Sequence, residues 1–190
     1  MGGVDSTRQR LIEAATRLLD EGGPAAVTLR EVGRLAGVSH NAPYKHFAGK
    51  QDLLAAVAAR ELSRDGAGRD GAAPGAGALR PMMHAYVRWA VRHPARFKLT
   101  FGSWSGDLPE LARAATAARA GLVDAVAAGQ AAGNLPEGDP ERVAALVLAV
   151  AHGAADLAIS GHLSRDGKGH ASAEDLVDDL LRYLASSPQR

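Results

Sequence analysis

The chain has 190 residues and a formal net charge of +1, with 46% hydrophobic and 23% charged residues. This composition can bury a core and excludes an intrinsically disordered chain, while the absence of cysteine excludes disulfides, thiolate chemistry and cysteine-bound zinc. Aromatic residues make up only 4% of the chain, so alanine, leucine and valine must fill most of the core, a mixture that favours close-packed helices.

The N-terminus, MGGVDSTRQR, lacks the apolar region of a secretory signal. We also find no apolar run that predicts a membrane span. We therefore expect a cytoplasmic protein with no membrane partner. Because the net charge is close to zero, nucleic-acid binding would need a local basic patch rather than a global field.

Residues that typically stop or start a helix mark the boundaries of the first two predicted helices. Apolar residues recur at helical spacing from Leu11 to Leu19, and the Gly-Gly-Pro run at 22–24 predicts where that helix stops. Thr28 followed by Glu31 fits a capping box, in which each residue satisfies a backbone group of the other. This pair predicts the start of a second, shorter helix.

A turn and a third helix follow. Gly37 permits a tight turn, and Ser39 is a natural N-cap for a helix that ends near Phe47. A fourth helix is predicted to begin near Lys50. The spacing from Thr28 to Phe47 is that of a helix-turn-helix.

The remainder of the chain also predicts helices. Residues 65–77, DGAGRDGAAPGAG, have no periodicity and predict a linker. Neither an internal repeat nor a strand pattern is found, so the sequence predicts an all-α fold. Beyond the linker we predict helices over 78–93, 95–102, 108–133, 140–162 and 173–186.

The second helix of the helix-turn-helix carries an unusual set of outward polar residues. A helix fits the major groove of DNA, where donors and acceptors at its tip read base edges and side chains on its flanks bind phosphates. Asn41 suits an adenine edge, His40 a purine N7 or a phosphate, and the flat ring of Pro43 a thymine methyl. Plainer interpretations are that Tyr44 and Phe47 belong to a core, that Lys45 and Lys50 are solvated charges, and that His40 is incidental.

The stretch TLREVGRLAGVSHNAPYKHFAGKQDLL resembles the DNA-binding signature of the TetR (tetracycline repressor) family of transcriptional regulators, over roughly residues 6–55. The matched features are the TLREVGRLAGVS unit, the Tyr-x-His-Phe run at 44–47, and Lys50 followed by two leucines. This chain has Ala-Pro-Tyr where family members often have Thr-Leu-Tyr. The resemblance implies phosphate contacts from Thr28, Tyr44, His46 and Lys50, and base or groove contacts from Arg30, His40, Asn41 and Ala42; Ser39, Pro43 and Lys45 complete the predicted DNA-binding set.

The resemblance also implies a domain organisation: a three-helix DNA-binding domain over residues 1–50, and a helical effector-binding and dimerisation domain over 51–190. The run HPARFKLTFG and the later His152-Gly153 pair are similar to one subclass of such C-terminal domains, although Ala151 stands where that subclass often has tryptophan. The last two helices carry small and apolar residues that suit a four-helix bundle with a second copy. The alternative is that these faces pack only within one chain.

Large flexible and aromatic side chains concentrate between residues 82 and 104 and suit a cavity for a hydrophobic or aromatic effector, although such a stripe also suits plain core. His152 and Asp156 lie four residues apart on one helical face, and we expect neither a metal nor a cofactor there. The predicted effector-binding set is Met82, Met83, Tyr86, Trp89, Phe97, Phe101, Trp104, His152 and Asp156.

The sequence therefore predicts a ligand-responsive DNA-binding transcriptional regulator, a repressor by analogy with the family, that binds a pseudo-palindromic operator in double-stranded DNA as a homodimer. We do not expect an enzyme. The alternative is a helical enzyme or metalloprotein in which residues 28–47 are only structural. Salt-sensitive binding to DNA, and its loss on replacing Tyr44 or Lys50, separates the two.

Overall fold

A computed structural model describes residues 3–66, 75 and 77–186. These residues form nine α-helices and one isolated bridge between Ser164 and Gly169, with no strand, so the all-α prediction is confirmed. The helices are α1 Gly3–Ala26, α2 Leu29–Leu35, α3 Ala42–His46, α4 Lys50–Gly66, α5 Leu79–Arg92, α6 Pro94–Thr100, α7 Pro109–Ala131, α8 Pro140–Ile159 and α9 Ala173–Ala185.

The helix ends follow the sequence signals closely. Gly22 (φ −143°, ψ 17°) and Gly23 (φ 66°, ψ −170°) are not helical, so the regular part of α1 stops where the sequence predicted. The largest difference among α5 to α9 is at the end of α8, which stops at Ile159 rather than at residue 162. The predicted linker over 65–77 lies mostly outside the described residues.

The contacts divide the chain into two compact units. The first contains the described residues up to Ser63 together with His93–Ala115, and the second contains the described residues of Arg64–Arg92 and Thr116–Arg190. The first unit is therefore longer than the predicted domain over residues 1–50, because it includes most of α4 and a separate segment that begins at His93.

The first unit has one continuous apolar core. Leu11 and Leu19 of α1, Val32 of α2 and Leu53 of α4 are fully buried in it. Phe47, which follows α3, is only 2% exposed in the same cluster, so its interpretation as a core residue is the correct one. Side chains from α6 and the loop after it also pack on this core, namely Ala95, Leu99 and Trp104.

A buried ionic network joins three helices of the first unit. Glu61 of α4 is 0% exposed, and Arg96 Nη1 of α6 lies 3.6 Å from its Oε1, with Arg60 Nη2 at 3.9 Å. Arg96 also binds Asp20 of α1, with Nε–Oδ1 at 2.8 Å, and Arg60 donates to Thr16 Oγ1 at 2.9 Å. Since a buried carboxylate is stable only when it is paired, this network fixes α4 and α6 to α1.

In the second unit, α5, α8 and α9 pack on one another. The contact between α5 and α9 is lined by polar and charged side chains: Arg88 Nη1 lies 3.4 Å from Glu174 Oε1, and His84 Nε2 lies 2.8 Å from Asp178 Oδ1. Arg80 Nε approaches the same Asp178 oxygen at 3.1 Å. These side-chain pairs fix how far α5 and α9 are shifted along each other.

The start of α9 is held by a complete capping box. Ser172 Oγ accepts from the Asp175 backbone N at 3.1 Å, and the Asp175 carboxylate accepts from the Ser172 backbone N at 2.7 Å. Arg165 binds the same carboxylate through two bonds of 2.7 Å. The Arg165 bonds, with those from Ser172, hold the pKa of Asp175 well below its usual range, so the cap is ionised at neutral pH.

The sequence-based expectation of no membrane span needs a correction. By length and composition alone, α8 is long and apolar enough to cross a bilayer, the one such helix in the part of the chain that the structure describes. Its side chains Val147, Ala151 and Ala155 are nevertheless fully buried in the second unit. Core helices of globular domains pass the same test of length and composition.

The ionic network generates a prediction about stability. Arg96→Met keeps the apolar length of the side chain but removes the cation nearest to Glu61, and we expect it to lower the free energy of unfolding by about 3 kcal/mol, because a buried charge without its partner is costly. Urea denaturation followed by circular dichroism measures the change. The control is Arg119→Met, which removes the solvent-exposed partner of Glu141 and should cost less than about 1 kcal/mol. Equal effects of the two substitutions would contradict this role for the network.

Candidate nucleic-acid interface

α2 begins at the threonine predicted to cap it. Thr28 has an extended backbone (φ −127°, ψ 147°), and its Oγ1 accepts a hydrogen bond from the Glu31 backbone N at 3.2 Å. The Glu31 carboxylate instead binds Arg34, with Oε1–Nη2 at 2.5 Å, and this bond lowers the pKa of Glu31. Only half of the predicted capping box therefore forms, and Thr28 lies exposed at the start of α2.

The turn after α2 is fixed by backbone and side-chain bonds. Gly37 has φ 62°, a left-handed conformation that glycine adopts without strain. The Val38 backbone N donates to Gly33 O at 3.1 Å. Arg10 of α1 donates from Nη2 to the carbonyl oxygens of Ala36 and Gly37, which lie at the end of α2. These carbonyls would otherwise lack a helical donor, so Arg10 attaches the turn to α1.

The N-cap of α3 lies two residues later than the sequence predicted. Ser39 O accepts a hydrogen bond from Ala42 N at 2.9 Å, and Asn41 occupies the N-cap position without a side-chain capping bond. The predicted N-cap at Ser39 is wrong, because Pro43 lacks an N–H and favours the first turn of a helix, which places the start at Ala42. Ser39, His40 and Asn41 consequently lie on the turn ahead of α3.

The predicted contact of Pro43 with a thymine methyl does not agree with the position of its side chain. Its side chain is buried, and a Cβ built on Gly33 of α2 would lie 2.9 Å from Pro43 Cγ. A ring enclosed this closely by protein does not reach a base edge. Pro43 instead packs α3 against α2, and we remove it from the proposed contacts.

The other predicted DNA-binding residues have accessible side chains. Tyr44 is 55% exposed, and its ring centroid lies 6.1 Å from that of His40. Lys45 and Lys50 are exposed and have no ion-pair partner among the described residues, so their charges are available to an anion. The solvent-exposed members are Thr28, Arg30, Ser39, His40, Asn41, Tyr44, Lys45 and Lys50, and Ala42 and His46 are partly buried.

The predicted effector-binding residues do not belong to one unit. Phe97, Phe101 and Trp104 lie in the first unit, where Phe97 is 2% exposed and its ring centroid lies 5.5 Å from that of Phe101. The other six lie in the second unit, where Met83 and Trp89 are core residues. The six are Met82, Met83, Tyr86, Trp89, His152 and Asp156.

One polar pair stands out in the second unit. Tyr86 Oη of α5 lies 2.9 Å from His152 Nδ1 of α8, and the Tyr86 ring lies 6.2 Å from that of Trp89. Burial lowers the pKa of His152, and the nearby charge of Asp156 opposes this shift without cancelling it. His152 is therefore neutral at physiological pH and offers one donor and one acceptor.

The second unit contains a cavity of about 320 Å³ that the sequence did not predict. Its apolar lining includes Val87, Val91 and Leu163, and the charged residues Arg88 and Arg92 also line it. Leu163 comes from the loop after α8, which carries no periodic signal in the sequence. None of the predicted effector-binding residues lines this cavity. Among the described residues, no group of three or more His, Asp or Glu is placed to hold a metal ion.

Both parts of the chain match models of known families. Residues 11–57 match the model described as bacterial regulatory proteins, tetR family. Residues 79–180, more than half of the chain, match the model described as tetracyclin repressor-like, C-terminal domain.

Individual proteins show the same likeness. The HTH-type transcriptional regulator SrpR of Pseudomonas putida is 44% identical over 56 residues, which are 30% of this chain and 26% of SrpR. The matched segment spans between about a quarter and two fifths of the length of the first curated relatives.

Similar solved structures cover nearly the whole chain. A Rhodococcus sp. RHA1 protein of unknown function is 33% identical over 98% of this chain and 97% of its own, with a TM-score of 0.79. A TetR transcriptional regulator from Rhodococcus sp. RHA1 is 22% identical over 96% of this chain and 97% of its own, with a TM-score of 0.69, and shows the same fold.

The close approach of α2 and α3 generates a prediction. Gly33→Ala places a methyl group 2.9 Å from the rigid Pro43 ring, so α3 must shift, and we expect a loss of about 1–3 kcal/mol in the free energy of unfolding. Thermal unfolding measures this loss. The double variant Gly33→Ala/Pro43→Ala removes the clash and should recover most of it. A Gly33→Ala protein as stable as the wild type would show that this contact does not position α3.

Proposed function

Because the chain belongs to the TetR family of bacterial regulatory proteins, we propose that it is a DNA-binding transcriptional regulator whose operator affinity responds to a small-molecule effector. The observation that carries this proposal is the surface formed by α3 and the turn before it. Its inner side chains, Pro43 and Phe47, are buried, whereas polar and cationic side chains face solvent. Any packed surface helix buries an apolar side, so the proposal rests on the type of the exposed side chains: His40, Asn41, Tyr44, Lys45 and Lys50 all offer groups that can donate to phosphates or base edges.

The proposed contacts follow from side-chain chemistry. Lys50, Tyr44 and His46 bind phosphates, since an ammonium, a phenol and an imidazole all donate to phosphate oxygens. Asn41 and His40, on the turn at the tip of α3, read base edges in the major groove. Thr28 supplies a further phosphate contact, Arg30 and Ala42 make groove contacts, and Ser39 and Lys45 lie at the periphery.

A homodimer is proposed from the surface of α8 and α9. Leu146 and Leu157 of α8 are each 45% exposed, Gly153 between them is exposed, and Tyr183 of α9 is 73% exposed. Exposed apolar side chains on two packed helices support pairing with a second copy as a four-helix bundle. Two α3 helices would then read half-sites about 34–36 Å apart in a pseudo-palindromic operator. We propose a cytoplasmic location, in which this interface covers the apolar side of α8.

The effector is proposed to be a hydrophobic or aromatic molecule bound in the second unit. Tyr86 and His152 supply a polar pair next to the Trp89 ring, and such a combination orients an apolar ligand through few hydrogen bonds. Contributions from Phe97, Phe101 and Trp104 stay predictions. An effector changes the affinity for DNA only if it binds the DNA-competent and the DNA-incompetent arrangements of the protein with different affinities. We propose that the protein acts as a repressor, that it catalyses no reaction and that it needs no cofactor.

The DNA-binding proposal is tested by salt-dependent affinity. An operator duplex is selected from a random pool, and binding is followed by fluorescence polarisation. Lys50→Ala should weaken binding and reduce the slope of log affinity against log salt by about 1 per subunit, because one phosphate contact is lost. Asn41→Ala should cost about 1–3 kcal/mol on the selected duplex and less on random DNA. Lys168→Ala, an exposed cation of the second unit, is the control. A wild-type protein that binds no duplex at low salt would refute the proposed function.

The dimer proposal is tested by the mass of the protein in solution. Leu146→Arg places a charge in the proposed interface, and we expect it to convert the dimer into a monomer, because burying an unpaired charge is unfavourable. Analytical ultracentrifugation measures the mass. Leu35→Arg changes a leucine that is 37% exposed in the first unit and should leave the dimer intact. If the wild type sediments as a monomer, the proposed interface is wrong.

A further inference from the structure

We propose that Arg8 is an additional phosphate-binding residue of the DNA interface and that the Glu110 carboxylate restrains it in the free protein. This inference rests on the proposed function. Neither residue belongs to the helix-turn-helix, and they are 102 positions apart in the chain. Both lie in the first unit.

The position of Arg8 supports its role as a phosphate ligand. Its guanidinium carbon lies 5.4 Å from the centroid of the Phe47 ring, within the range of a cation–π contact. Phe47 closes α3, since its backbone N donates to Pro43 O at 3.0 Å, and its ring lies 6.5 Å from that of His46. The Arg8 charge is therefore held at the carboxyl end of α3, on the ring of the residue that follows the proposed phosphate ligand His46.

The pairing of Arg8 with Glu110 supplies the restraint. Arg8 Nη2 lies 2.5 Å from Glu110 Oε2, and the two side chains are 35% and 50% exposed. An exposed ion pair is weak and is screened by salt, so a DNA phosphate can replace the carboxylate. The guanidinium can exchange one oxygen anion for the other while it stays stacked on Phe47.

The segment that carries Glu110 is attached beside the proposed interface. Gln51 Nε2, one residue after Lys50, donates to Ser105 O at 2.6 Å and to Ser105 Oγ at 3.2 Å. Trp104 packs on the core that contains Phe47. Through its bond to Arg8, the Glu110 carboxylate neutralises a cation that lies on the Phe47 ring, and its negative charge would oppose a phosphate that approaches Arg8.

Substitutions of the two partners are predicted to change DNA affinity in opposite directions. Glu110→Gln keeps the shape of the side chain but releases Arg8, so affinity for the selected operator duplex should rise by about threefold near 0.2 M salt. Arg8→Gln should lower affinity by about threefold and reduce the salt slope by about 1 per subunit. In the double variant, Glu110→Gln should bring no gain, because the cation that it releases is absent. Arg8→Lys keeps the charge and should retain most of the salt slope.

A matched control is available in the second unit. Glu141 pairs with Arg119, with side-chain exposures of 51% and 63%, and Glu141→Gln makes the same chemical change to an exposed ion pair. It should leave DNA affinity within error of the wild type. Thermal unfolding of each variant checks that the fold is retained.

The outcomes separate this inference from the function on which it rests. If the wild type binds the duplex while Glu110→Gln behaves like Glu141→Gln, the restraint is refuted and the function stands. A gain in DNA affinity from Glu110→Gln that persists in the absence of Arg8 also refutes the restraint. The gain would then come from removing the general repulsion between the Glu110 charge and DNA. An unchanged salt slope in Arg8→Gln refutes the phosphate contact. A wild type that binds no duplex removes the proposed function and this inference together.

Discussion

The proposed DNA-binding surface depends on the burial of one side of a very short helix. α3 has five residues, and an isolated helix of that length does not persist in water. It is held because Pro43 packs on Gly33 and Phe47 enters the core shared by α1, α2 and α4. Once these inner side chains are fixed, Tyr44 and Lys45 can only face outward. The direction of the outer side chains is therefore set by apolar packing, and their chemistry is free to serve recognition.

The cationic side chains of the first unit act in two different ways. Arg10 and Arg96 bind oxygens of the protein itself, at the end of α2 and on Asp20 of α1, and so position the helices. Lys45 and Lys50, by contrast, have no ion-pair partner among the described residues, and their charge is left for an external anion. Arg8 lies between these classes, because its partner is an exposed carboxylate that a phosphate can replace. The basic character of the surface thus comes from how cations are paired, since the net charge is only +1.

Local signals predicted most of the fold. The Gly-Gly-Pro break in α1, the Thr28 cap and the left-handed Gly37 are each determined by a few neighbouring residues, and the structure contains all three. The exposure of most predicted DNA-binding side chains also agrees with the sequence, and their contacts stay predictions. The burial of Pro43 was not predicted, because it depends on Gly33 in another helix. Interactions between distant segments could not be predicted. The pairs Arg96–Asp20 and Arg8–Glu110 join residues 76 and 102 positions apart, and no periodicity records them. For the same reason, side chains grouped by sequence between 82 and 104 fall into two units.

The discontinuity of the first unit matters for anyone who wishes to build hybrid sensors from this scaffold. Grafting residues 1–50 onto a foreign regulator would leave behind Leu53 and Leu54 of α4, and with them Trp104 from the loop after α6. A splice after residue 63 would include Glu61 but leave it buried without Arg96. A working chimaera must therefore carry His93–Ala115 along with the N-terminal helices, so the transplantable module consists of two pieces of chain rather than one.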